Sequence, residues 1–335
     1  MDSAPPGAHP GRPLLAPDGS VRLGPLLLPF SNLASEAARE TFMTQINPPP
    51  AEIGTDLLAL RAHYDRKNAV LAAHMRDIFA VEVEPGEMGG ARVNRVRPAG
   101  PHDGDRALIC LHGGAFAWGN GSGALVEAIP IAATLGVEVV AIDYRLGPEH
   151  VFPAACEDVA NVYGELLNRF PPQALGLFGC SAGAILTAQS MAWFAKAGLP
   201  PPGAIALLGA GAGDLDGDSR RLSLPLEGVP PGEPLTMSSF PYFAGASFDD
   251  PCVAPINHPD VLRAFPPTLL IGGGRDFGLG SLTRLHLSLD SVGVEAQLFV
   301  FDGLWHAFHI YPDLPESRQV YAILGKFFDR RLKRA

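Results

Sequence analysis

Chemistry is concentrated first at a serine set between two glycines, Gly179-Cys180-Ser181-Ala182-Gly183. The apolar run Leu175 to Phe178 leads straight into it and a helix-compatible stretch, Ala184 to Lys196, leaves it, which puts Ser181 on a tight strand-to-helix turn. Glycine flanks the serine because side chains there would collide with the neighbouring strand and helix, and the turn lifts the hydroxyl above the sheet. A serine hydroxyl is a weak nucleophile near neutral pH. It needs a general base, and the base needs a carboxylate that fixes its tautomer and stabilises the imidazolium. The chemistry implied is attack on an acyl carbon.

For a serine on such a turn the partners follow in the order acid, then histidine. Downstream, the run Thr268 to Ile271 ends in Gly-Gly-Gly-Arg275-Asp276, and the last β-rich run ends in Asp302-Gly303-Leu304-Trp305-His306. Both groups fall on loops after strands, at one edge of the sheet. Asp302, His286 and His309 compete for these roles, but Asp302 suits the cap of its Asp-Gly turn, His286 lies in a helical pattern and His309 lies beyond the turn. The expected catalytic set is therefore Ser181, Asp276 and His306. His306 must be neutral to act as base, so the rate should fall on acidification. An oxyanion needs preorganised N–H donors, and His112-Gly113-Gly114-Ala115-Phe116 follows the run Ala107 to Leu111, where such a loop belongs. Gly113 and Gly114 are the expected donors together with Ala182, with His112 orienting the loop.

These groups must be held by a substantial framework. Eight short β-rich runs start at Phe79, Ala91, Ala107, Val137, Leu175, Ala204, Thr268 and Ala296, and helical patterns run from Ala154 to Arg169, Ala182 to Lys196, Leu279 to Ser291 and Ser317 to Arg331. Alternation of nearly continuous apolar runs with helices predicts an α/β fold with a mainly parallel eight-stranded sheet and helices on both faces. The first two runs are more polar and predict antiparallel edges. Ahead of every strand signal, Ala34, Ala38, Phe42 and Ile46 mark a helix stopped by Asn47-Pro48-Pro49-Pro50. Leu57, Leu60, Tyr64, Leu71, Met75 and Ile78 mark a second helix with a break near Lys67. The expected organisation is a helical cap segment over 1–78, a catalytic domain over 79–335 and an inserted cap segment over 210–265, where Gly, Pro, Asp and an aromatic cluster interrupt the alternation.

Composition narrows the function. The 335 residues are 47% hydrophobic and 18% charged with a formal charge of -10, which suits a large apolar interior and leaves no basic footprint for nucleic acid. Cys110, Cys156, Cys180 and Cys252 lack metal-like spacing and read as reduced thiols. No apolar run is long enough for a membrane span, and prolines interrupt the N-terminus where a signal peptide would be apolar. A cytoplasmic protein without cofactor or metal is expected.

With these pieces in place the chain resembles the hormone-sensitive-lipase family of α/β hydrolases, also called bacterial esterase family IV. The resemblance rests on the His112 loop, Asp143-Tyr144-Arg145-Leu146-Gly147-Pro148-Glu149-His150 with Phe152-Pro153-Ala154-Ala155, the Ser181 turn, Asp276 and His306-Ala307-Phe308, together spanning roughly residues 91–310. It implies a carboxylesterase acting on short- to medium-chain esters through an acyl-enzyme, a helical cap and, as an open point, a homodimer. It also implies that caps line the substrate pocket, which makes Phe30, Phe42, Met43, Tyr242 and Phe243 lining candidates. The chain departs from the family in having alanine for glycine at Ala115, Ala184 and Ala307, Cys180 for Asp or Thr, and Gly280 where a second acid is frequent. Amidase, arylformamidase or lactonase activity would use the same triad, and a ligand-binding role like that of plant gibberellin receptors, which have lost the histidine, stands as the alternative from another class.

Overall fold

Residues 14–15, 17, 21–22, 27–45, 56–227 and 236–334 are described by the computed structural model. Ile46, the Asn47–Pro50 stop and residues 228–235 of the expected insertion lie outside them. The chain divides into two units, Met1–Asn32 and Leu33–Ala335. In the first, β1 (Leu14–Leu15) pairs antiparallel with β2 (Val21–Arg22). A strand pair thus precedes the helices, contrary to the sequence expectation, because two-residue strands are too short to leave a periodic signal.

The second unit opens with α1 (Glu36–Gln45) and α2 (Leu57–Ile78). The side chain of Asp56 caps α2 by accepting from the amides of Leu58 and Ala59. No break occurs at Lys67. Its ammonium lies 5.8 Å from the centre of the Tyr311 ring, so a charged residue that reads as an interruption of the apolar stripe is itself packed.

The sheet follows: β3 (Val81–Met88), β4 (Ala91–Pro98), β5 (Asp103–Leu111), α3 (Ser122–Leu135), β6 (Val137–Asp143), α4 (Ala154–Leu166), β7 (Leu175–Cys180), α5 (Ala182–Ala197) and β8 (Ala204–Leu208). After two short helices, α6 (Asp218–Ser223) and α7 (Pro259–Leu262), come β9 (Thr268–Arg275), α8 (Leu279–Ser291), β10 (Ala296–Trp305) and α9 (Pro315–Arg331). Strand order is β10-β9-β8-β7-β5-β6-β4-β3. The strands from β10 to β6 run parallel, while β4 pairs antiparallel with β6 and β3 antiparallel with β4. This is the α/β-hydrolase architecture, and the polar, half-exposed β3 forms its antiparallel edge.

Both faces of the sheet are covered. Ala107, Ile109 and Leu111 join the core cluster with residues of α4 and α5, whereas the alternate Cys110 thiol faces the Ala124 carbonyl of α3. Helix α3 was not legible in the sequence. It is apolar on nearly every side because it is buried, so it lacks a stripe, and Gly121, Gly123 and Pro130 mimic a loop.

Candidate active site

The carboxyl ends of four parallel strands deliver the reactive groups. Ser181 follows β7 with φ 55° and ψ -120°, a strained conformation held by its amide donating to the Leu208 carbonyl at 2.8 Å. Close packing fixes the turn, since a Cβ on Gly183 would lie 1.8 Å from the Leu111 carbonyl oxygen and one on Gly179 2.4 Å from that of Gly183. Asp276 follows β9 and is 1% exposed; its Oδ1 accepts from the Gly278 amide at 2.7 Å. The same oxygen lies 2.8 Å from Nδ1 of His306, whose ring stacks on Phe277 with centroids 4.1 Å apart. The turn Asp276-Phe277-Gly278 therefore supports the carboxylate itself, and Gly280, where the family often has an acid, leaves no space for one, as a Cβ there would be 2.7 Å from the Asp216 carbonyl oxygen.

Ser181 and His306 share the wall of a cavity of about 350 Å³ with Gly113, Gly114, Ala115, Trp118, Glu127 and Cys180. Among the described residues, four that are not glycine have positive φ: Ala115, Phe116, Ser181 and Ala307. Three of them line this cavity. Backbone strain is thus gathered at one spot, and two of the alanine-for-glycine departures, Ala115 and Ala307, occupy left-handed positions that favour glycine.

A profile described as "alpha/beta hydrolase fold" matches residues 108–310. The acetyl-hydrolase of Streptomyces hygroscopicus is 31% identical over 252 residues, covering 73% of this chain and 83% of that protein. Among solved structures, esterase E25 superimposes with a TM-score of 0.80 at 31% identity over 94% of this chain and 99% of that one. A hormone-sensitive lipase from a metagenome library gives a TM-score of 0.75 at 25% identity, covering 90% of this chain and 99% of that one. The chain belongs to the hormone-sensitive-lipase family of α/β hydrolases.

Within this family member, the loop after β5 differs from the sequence expectation in one donor. The Gly113 amide donates to Glu127 Oε1 at 2.8 Å and is therefore occupied. Among the described residues the amides of Gly114, Ala115 and Ala182 have no protein partner. The signal for Gly113 was its place in a Gly-rich loop, but a buried carboxylate contributed by the unrecognised helix α3 takes its N–H. His112 orients the loop: Nδ1 lies 2.7 Å from the Gly113 carbonyl, Nε2 2.7 Å from Asn120 Oδ1, and the ring stacks on Tyr144 at 4.3 Å. Burial lowers its basicity.

The lining candidates fall elsewhere. Tyr242 and Phe243 are buried against Phe116, with centroids 4.8 and 5.1 Å away, and so brace the loop from behind rather than face the cavity. Phe42 packs on Trp305 at 5.6 Å, next to His306, and Met43 is 64% exposed. Phe30 belongs to the unit Met1–Asn32. The aromatic wall instead comes from Tyr64 of α2 and Trp118, stacked 4.7 Å apart, and from Phe277. Tyr64 stands in the apolar stripe that marks α2, and Trp118 stands two residues past the His112 loop. Both signals were present, but neither residue type distinguishes a pocket wall from a core.

The characteristic Asp143–His150 block is structural. Asp143 accepts from the Gly121 amide ahead of α3 at 2.6 Å, the Tyr144 hydroxyl donates to the His112 carbonyl at 2.7 Å, Arg145 pairs with Asp158 at 2.8 Å, and Glu149 pairs with Arg61 at 2.6 Å.

Proposed function

We propose that this chain is a serine carboxylesterase that hydrolyses short- to medium-chain esters through an acyl-enzyme, with Ser181, His306 and Asp276 as its triad. The observation that carries the reading is the 2.8 Å His306–Asp276 bond beside a cavity that also holds the strained Ser181 and amides without protein partners. His306 accepts the Ser181 hydroxyl proton as Oγ bonds to the acyl carbon. The carbonyl oxygen becomes an oxyanion received by the amides of Gly114, Ala115 and Ala182, the last opening the positive end of α5. His306 returns the proton to the departing alcohol, and water then repeats the attack on the acyl group. Asp276 holds the imidazole tautomer throughout.

A volume of about 350 Å³ stands at the small end of the roughly 300–1,000 Å³ typical of ligand sites, which supports short acyl and alcohol groups. Helices α1 and α2 and the described parts of the segment 210–265 form the cap in this reading, and α2 contributes Tyr64 and Asn68 to the cavity wall. Four free thiols fit a cytoplasmic setting, and among the described residues no helix is long and apolar enough to cross a membrane.

The test is hydrolysis of p-nitrophenyl acetate and butyrate by the parent and by Ser181→Ala, with fluorophosphonate labelling of both. The parent should turn over and label while the variant does neither; a variant as active as the parent would overturn the assignment.

A further inference from the structure

Three side chains that ester hydrolysis leaves unused converge behind Ser181. Glu127 of α3, Cys180 at the end of β7 and His309 after β10 each present one donor atom, and the three atoms lie within 4.8 Å of one another. The residues are 6%, 1% and 7% exposed. Glu127 is anchored through Oε1, which accepts from the Gly113 amide at 2.8 Å, while its Oε2 is buried without a hydrogen-bond partner among the described residues. A buried acceptor left unsatisfied is rare in folded proteins and calls for an explanation.

We propose that Glu127, Cys180 and His309 form a binding site for a divalent transition-metal ion of the zinc class, reached through the cavity beside Ser181. A carboxylate oxygen, a thiolate sulfur and an imidazole nitrogen are the donor types that zinc selects, and three protein donors leave one position open. Glu127 and Cys180 line the cavity, which supplies both a route inward and a direction for that open position. The Glu127 carboxylate is oriented by the Gly113 amide.

Charge balance favours the same class of ion. The cluster consists of one carboxyl, one thiol and one imidazole. A divalent ion displaces one proton from the carboxyl and one from the thiol to solvent, with no change of oxidation state. The resulting complex carries no net charge, the condition under which a buried ionic group is tolerated.

The experiment equilibrates the full-length protein with zinc, removes unbound metal by gel filtration and measures bound metal per chain by mass spectrometry. A parallel sample takes cobalt(II) as a spectroscopic substitute. The expected result is one zinc per chain and an intense thiolate-to-cobalt charge-transfer band. Both should be lost, or zinc affinity weakened at least about tenfold, in Cys180→Ser and in His309→Gln. The cobalt band reports the thiolate in the parent itself, so the result does not depend on how well a variant folds. Substoichiometric zinc with no cobalt band in the parent, or undiminished binding in both variants, would overturn the proposal. No ester enters the measurement, so its failure and a failure of the esterase reading are separately visible.

Discussion

Two concavities share Trp118 in their walls, and the larger is not the one lined by Ser181 and His306. The larger, about 820 Å³, is walled by Arg61, Arg145, Glu149, Asp158 and their neighbours. These four charges are tied to one another, to Glu157 and to the backbone. Arg61 donates to Glu149 and to the carbonyls of Ala117 and Gly147, and Arg145 donates to Glu157, Asp158 and the Ala154 carbonyl. The smaller, about 350 Å³, holds the groups still available for partners: the amides of Gly114, Ala115 and Ala182, and Glu127 Oε2. A reactive site is thus distinguished by polar groups left unsatisfied and backbone held in strain, both of which cost stability and need a compensating use. Volume alone would choose the larger concavity.

That contrast can be broken by substitution. The largest expected effect is at Asp276→Asn, which keeps the side-chain shape but removes the negative charge and turns one acceptor oxygen into an N–H donor, so the His306 tautomer is no longer fixed; kcat should fall on the order of 10⁴-fold, as in comparable triads, measured on p-nitrophenyl butyrate with the fold checked by circular dichroism. A retained kcat would detach the dyad from the chemistry. Next is Gly209→Ala. Its Cβ would stand 2.9 Å from His306 Cε1 and 3.2 Å from Asp276 Oδ2, at a φ of 69°, so the dyad must shift. A loss of roughly 10–100-fold in kcat is expected, because displacements near 1 Å cost about that much.

In the larger concavity the effects should move from rate to stability. Arg145→Ala leaves Asp158, which is 7% exposed, with the backbone amide of residue 145 but no guanidinium, and should destabilise the protein by about 1–3 kcal/mol in urea unfolding while kcat stays within about twofold. A large loss of kcat at unchanged stability would make this concavity part of the site. The smallest effect concerns the Arg61–Glu149 pair. Its hydrogen bonds from Arg61 hold the Glu149 carboxyl down at about 2, below its ordinary 4.5. A depressed carboxylate contributes stability that is complete above the ordinary value and is lost as pH falls through the folded one. The difference in melting temperature between the parent and Glu149→Gln should therefore be present at pH 7, shrink below about 4.5 and vanish near 2. The pair is solvent-exposed, so the difference will be small.

What the sequence determined by itself was everything governed by local pattern. The apolar runs of β5 to β9 specified a parallel sheet because strands buried on both faces must be continuously apolar, and polar β3 specified an edge. Gly179 and Gly183 specified the turn that carries Ser181, since only glycine survives such close backbone approach, and Asp276 and His306 followed from their places after strands. Features that depend on residues meeting from distant elements were decided by the tertiary structure. Helix α3 hid behind its own burial, and with it Glu127, which takes the Gly113 amide and leaves those of Gly114 and Ala115 without a protein partner among the described residues. Tyr242 and Phe243 could not be told from pocket residues, because burial against Phe116 and exposure to a cavity favour the same side chains. Glu127, Cys180 and His309 show no ligand spacing along the chain, yet they come from a helix, a strand end and a turn and meet in the fold. Periodicity records which face of an element is buried; it carries no information about what that face is buried against.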